Sequence, residues 1–281
     1  MISQCDCGSG GVRLAVRSER VQFVLRSVLG CLLVAFLPGS PALGQSAAGG
    51  HDSPDVTQIV VQLARKNQDR AALLQHYEGC RHYLLRYTGF PSARSAEILL
   101  EMKFDAPADK QFRILHENGS RLLLTHVLKE LLASEKEALG EQNRNQSMLT
   151  PANYDFRLIG ADTIHGRRQY VLEVTPRSKN KFLYRGKIWV DADDFAVSRI
   201  SAEPAENPSF WISHTEIEHE YTKVGDFWLP AHNTSVTKVR FGGSAKLDVE
   251  YFNYRIGISK TTENAEVCGS VPGEVHVSEK R

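Results

Sequence analysis

The sequence predicts an α+β protein, a curved antiparallel sheet of about ten strands wrapped around two helices. Three observations predict it. Two segments repeat apolar residues at helical spacing, the remaining runs alternate apolar and polar side chains, and short Gly- and Asp-bearing turns separate the later runs. With 281 residues, 42% of them hydrophobic and 24% charged, the chain is long and apolar enough to bury a substantial core.

The elements follow in chain order. Ser53 supplies an N-cap, Pro54 a first helical residue and Asp55 an acidic first turn; Ile59, Val60, Leu63 and Ala64 then recur at helical spacing, which predicts a helix over 54–74. "CRHYLLRYTG", "SAEILLEMKFD" and "KQFRIL" read as strands; in the second, Ala96, Ile98, Leu100, Met102 and Phe104 share one face. A second helix is expected over 121–139, with Leu124, Val127, Leu128 and Leu131 on one stripe, Leu123 and Leu132 widening it, and Gly140 ending it. From Tyr154 onward about seven strands alternate with turns at His165-Gly166, Asp193-Asp194, Gly225-Asp226 and Gly242-Gly243. The short loops predict one meandering sheet whose apolar face is covered by the two helices.

The N-terminus reads as an export signal over residues 1–44. Basic residues end at Arg26, and the apolar core "SVLGCLLVAFL" follows. Pro38 and Gly39 come next, and then Ala42 and Gly44 at the −3 and −1 positions of a cleavage site before Gln45. That core falls well short of the ~20 residues a spanning helix needs. The apolar run follows Cys31 instead of preceding it, which argues against lipidation there. A linker is expected over 45–53, the folded domain over 54–260 and a polar tail over 261–281, with the protein delivered to the periplasm. Net charge is +1. Setting aside the leader's four arginines, Asp6 and Glu19 leaves 30 basic against 31 acidic side chains, a balance with no general pull on nucleic acid or an anionic membrane.

Export leaves the mature chain with Cys80 and Cys268, and in an oxidising compartment a pair is expected between them. Asp191, Asp193 and Asp194 in "YRGKIWVDADDFAVSRI" invite a metal reading. A calcium loop would continue with oxygen ligands, a glycine and a distal glutamate, whereas Phe195, Ala196 and Val197 follow, so a hairpin turn is expected that tolerates Asn-Gly in place of Asp193-Asp194. "SHTEIEHEY" puts His214, Glu216, Glu218 and Glu220 on one strand face and Thr215, Ile217, His219 and Tyr221 on the other; the acidic side is expected to be a solvated face. The basic run Arg177, Lys179, Lys181, Arg185 and Lys187 is read as a solvated strand edge. Trp189, Trp211, Trp228, Tyr170 and Phe182 fit either a cavity lining or ordinary core. There is no G-x-S-x-G, H-E-x-x-H, glycine-rich phosphate loop or C-x-x-C. No catalytic set, metal site or cofactor is expected.

Three stretches resemble a known family, the periplasmic outer-membrane lipoprotein-sorting carriers and their relatives. "YRGKIWVDADDFAVSRI" is similar to the family's strand–turn–strand with Trp-Val-Asp and Arg-Ile, "RLIGADTIHGRRQYVLEVTP" to its hairpin ending in aliphatic-Thr-Pro, and "GDFWLP" to its turn into Trp-Leu-Pro. The resemblance spans 54 to 258 and implies a half-open β-barrel with a helical lid over a cavity for acyl chains. It implies a monomeric, non-enzymatic binder of a lipid or of lipoprotein acyl chains. The same scaffold also implies an alternative, a regulatory protein that senses envelope proteins, and a lipid hydrolase stands third. For a carrier, the expected cavity residues are Leu124, Val127, Leu128 and Leu131 on the second helix, facing Leu172, Ile188 and Val190 across a gap.

Overall fold

The computed structural model describes residues 55–139, 146–180, 182–206, 212–240, 242–257 and Cys268. The expected leader, the linker, Trp211 and the tail apart from Cys268 lie outside the described residues. Helix α1 (Val56–Leu73) is followed by strands β1 (His76–Thr88), β2 (Arg94–Asp105) and β3 (Asp109–Gly119). The second helix is continuous but not uniform: α2 (Arg121–Leu123), a π-helical turn (Leu124–Leu128) and α3 (Lys129–Ala138). Seven more strands complete the fold: β4 (Tyr154–Ile164), β5 (Arg167–Pro176), β6 (Tyr184–Asp191), β7 (Val197–Pro204), β8 (Ile212–Val224), β9 (Phe227–Val239) and β10 (Ser244–Ile256).

The ten strands form one curved, open antiparallel sheet in the order β3-β2-β1-β10-β9-β8-β7-β6-β5-β4. The single curved sheet that the sequence predicts is there, but it does not follow chain order throughout. Two meanders, β1–β3 and β4–β10, are joined where β1 pairs with β10, in a register such as Tyr83 opposite Val249. β3 and β4, consecutive in the chain, therefore stand at opposite edges, and the second helix lies on the connection between them. Bulges at Glu78/Cys80, Leu99/Leu100, Leu158/Gly160, Trp189/Val190 and Glu220/Tyr221 bend the strands and help the sheet curl.

Local chemistry sets the corners. His165 and Gly166 both take positive φ (48° and 75°), the conformation of a tight two-residue hairpin turn between β4 and β5. Gly119 ends β3 at φ 97°, and a Cβ there would lie 2.8 Å from the Ala96 Cα, so only glycine lets the chain turn off the edge into α2.

The core divides in two. The second helix packs Leu123, Leu124, Val127, Leu128, Leu131 and Leu132 against β1, β2 and β10, including Tyr83, Ile98, Leu100 and Val249. Helix α1 packs Ile59, Val60 and Leu63 against β4–β7, including Tyr154, Leu172, Ile188, Val190 and Ile200. Cys80 and Cys268 form a disulfide with Cα atoms 5.6 Å apart, across 188 residues of sequence.

Candidate ligand-binding face

The concave side of the sheet is the surface both helices cover, and register identifies its residues. One rung runs Leu172, Ile188, Ile200, His219, Asn233, Val249, Tyr83, Ile98, each opposite the next. The next rung runs Ala202, Ile217, Ser235, Leu247, Leu85, Ala96. Both rungs are apolar at their ends and turn polar in the middle, at His219 on β8 and Asn233 on β9 in the first and at Ser235 on β9 in the second.

The second helix is anchored to its half of this face by charge as well as by its apolar stripe. Arg81, pointing inward from β1, reaches both Glu135 carboxylate oxygens at 2.9 and 2.8 Å, and Lys110 from β3 donates to Oε1 at 2.6 Å. All three are buried. Burial alone would raise the Glu135 pKa, but Arg81 and Lys110 more than offset it and hold the carboxyl below the usual range. The Arg81 guanidinium also lies over the Tyr251 ring (4.9 Å) and donates to the Tyr83 hydroxyl, whose pKa burial pushes up to about 12.

Helix α1 is fixed to the other half by the Asp191 turn. Asp191 is 0% exposed. It accepts from Arg167 Nε and Nη2 at 2.6 Å each, from the Gln169 amide, and from the backbone N–H groups of Asp193 and Asp194. Burial raises its pKa and these donors more than reverse that, leaving it lowered. The three aspartates do form a turn, as the sequence indicates. Among the described residues no cluster of three or more His, Cys, Asp or Glu is placed to hold a metal. The Asn-Gly expectation is corrected in one respect. Asp193 is 80% exposed, but Asp194 accepts from Arg167, Lys223 and the Trp228 indole, and its carbonyl with that of Phe195 receives Arg70 of α1. A glycine at 194 would remove three donors' partner and loosen three elements at once.

The predicted cavity residues are all buried, but the structure does not bring them together. Leu124, Val127, Leu128 and Leu131 belong to the half-core under the second helix, whereas Leu172, Ile188 and Val190 belong to the half-core under α1. The expectation that they face one another is therefore corrected: helix spacing finds the stripe but cannot say which strands lie beneath it. Trp189 stands on the outer face, donating to Asp162 and stacked under Arg199, so it lines nothing inside. Tyr170 packs with the α1 half. Glu216 and Glu220 are exposed and His214 and Glu218 half-exposed, the solvated face that was expected.

Sequence reading missed two features. The buried Arg81–Glu135–Lys110 cluster has no sequence signature, because each residue looks like an ordinary surface charge. The polar mid-face was legible in outline: Thr215 and His219 alternate on β8, and Asn233, Ser235 and Thr237 do so on β9, all five buried.

A family model described as a family of unknown function (DUF5686) matches residues 149–254. No curated protein matches the sequence. Among solved structures, a DUF1329 family protein from Desulfovibrio piger is 13% identical, with 73% of this chain and 95% of that chain covered and a TM-score of 0.37. A putative outer membrane lipoprotein-sorting protein domain from Vibrio parahaemolyticus is 12% identical, covering 70% and 93% at 0.32. A LolA superfamily protein from Nitrosomonas europaea is 11% identical, covering 73% and 94% at 0.29. The chain is similar to these proteins in fold.

Proposed function

We propose that this chain is an exported periplasmic protein that holds a lipid, or the acyl chains of a lipoprotein, against the concave face of its sheet. It binds and releases and performs no bond chemistry. The observation that supports this reading most is the divided core. Two apolar half-faces, each under its own helix, flank a polar strip, and the second helix sits on the connection between the two open edges. An acyl chain entering beneath that helix would gain about 0.8 kcal/mol per buried methylene. The π turn at Leu124–Leu128, where backbone pairing departs from the α pattern, is the place for the helix to bend as it yields. Leu124, Val127, Leu128 and Leu131 would line the chain on one side, and Leu172, Ile188 and Val190 would receive its far end across the strip.

Val127→Trp tests the reading when fluorescent fatty-acid binding and the unfolding midpoint are measured together. Loss of binding with little loss of stability is expected. Absence of binding by the wild type, with about 1–3 kcal/mol lost in the variant through overpacking, would mean the helix is plain core.

A further inference from the structure

Between the two apolar halves, His219 and Asn233 face each other across the β8–β9 ladder, flanked by Ile200 on one side and Val249 on the other. They are 7% and 6% exposed. Asn233 Nδ2 donates to the Tyr251 hydroxyl at 2.8 Å. Its Oδ1, however, has no hydrogen-bond partner, and neither does His219 Nε2. Thr215 and Thr237, the next polar pair along the same strands, satisfy each other at 3.2 Å. Along the inner face of β8 and β9, the orphaned atoms among the described residues thus sit at its centre. Leaving a buried polar atom without a partner is costly, so a fold that keeps two on facing strands, between surfaces suited to hydrocarbon, is arranged for a third group.

Which group fits follows from the atoms. Asn233 Oδ1 can only accept, so the incoming group must donate an O–H or N–H. His219 Nε2 meets the same group from the opposite strand, as donor or acceptor according to its tautomer. Burial keeps this imidazole neutral, lowering its pKa to about 4. The inward-facing residues of the strip, Thr215, Ile217, His219, Asn233, Ser235 and Thr237, include no cation, and Arg81, over the ring of the Tyr251 that Asn233 bonds, is already paired with Glu135, so an anionic headgroup would be stranded there.

Resting on the acyl-binding reading above, we infer that His219 and Asn233 form a recognition site for an uncharged hydrogen-bond donor, a hydroxyl or an amide N–H, carried on an acyl chain that lies across both apolar halves. The glycerol hydroxyl of a monoacylglycerol and the nitrogen of a fatty amide share this chemistry.

The test displaces a fluorescent hydrocarbon, diphenylhexatriene, from the delipidated full chain with monooleoylglycerol, oleamide, methyl oleate and oleate. Monooleoylglycerol or oleamide should compete at least tenfold better than methyl oleate, which has no donor, and better than oleate, which is charged; whichever of the two wins names the source. His219→Leu with Asn233→Leu should bring the donor ligands down to the level of the ester. In the wild type, with ¹⁵N-labelled histidine, the His219 Nε2 resonance should move with a donor ligand and stay still with methyl oleate, a result that needs no variant to fold. Equal competition by all four ligands, or an unmoved imidazole, would overturn the inference while leaving acyl binding intact, the orphaned atoms then holding water. Failure of the wild type to bind the hydrocarbon or any competitor would remove the acyl-binding reading and this site with it.

Discussion

Asp193 and Asp194 are neighbours with unequal jobs. Asp193→Asn should cost no more than about 1 kcal/mol, because the ion pair it gives up, to Arg167 at 3.5 Å, is exposed and screened by solvent. Asp194→Gly should cost about 2–3 kcal/mol, since Lys223, Arg167 and Trp228 lose a charged acceptor together. Chemical denaturation of the two single variants separates them, and equal losses would show that the turn alone matters. His219 supplies a pH signature. Its folded pKa of about 4 lies below the ordinary 6.5, so the unfolded chain binds the proton more readily between those values. Stability from this residue is therefore full above pH 6.5 and lost as pH falls toward 4, by on the order of 3 kcal/mol. Buried carboxylates such as Asp191 and Glu135 lose stability in the same direction but at lower pH. Subtracting the unfolding profile of His219→Leu from that of the wild type isolates the histidine, and parallel profiles between pH 6.5 and 4 would show it protonates freely in the fold.

Among the elements, the second helix is held partly by groups that are costly to strand. Glu135→Gln leaves Arg81 and Lys110 buried without a counter-charge, and should cost about 3–5 kcal/mol in unfolding experiments. Adding Arg81→Met and Lys110→Met should recover most of that loss, because the desolvated charges leave with their partner. A triple variant as weak as the single one would place the cost in packing instead. The apolar positions of this helix were plain from spacing alone, as were Ile59, Val60 and Leu63 of α1, because a buried stripe must repeat with the helical turn. The inner face of β2 was equally plain, from Ala96 to Phe104. What spacing withheld was partnership. Leu131 and Leu172 look alike in sequence, and only the pairing of β1 with β10 decides that they lie in separate half-cores. Arg81 was hidden by its charge alone: it falls in phase with Tyr77, Tyr83 and Leu85 on the inner face of β1, but an arginine there looks solvent-facing until Glu135 is seen beside it.

At the scale of the molecule, the disulfide ties the middle of the sheet to the distal chain. Cys80→Ser with Cys268→Ser should lower stability by about 2–5 kcal/mol, the range expected when so long a loop is released, read from the denaturation midpoint of oxidised protein. Free thiols in unreduced, denatured wild type would contradict the pairing. The strand order bears on how the chain is made. A polypeptide is made N-terminus first, yet β1 must wait for β10, and the half-core under the second helix lacks Leu247, Val249 and Tyr251 until the last described strand has emerged. Such distant pairing is slow to form, since the closing loop must be ordered before any contact rewards it. A partly made chain consequently has no finished sheet to collapse into. The half-core under α1 draws nothing from β10, so one half of the molecule can pack early while the other stays open until the chain's last described strand closes it.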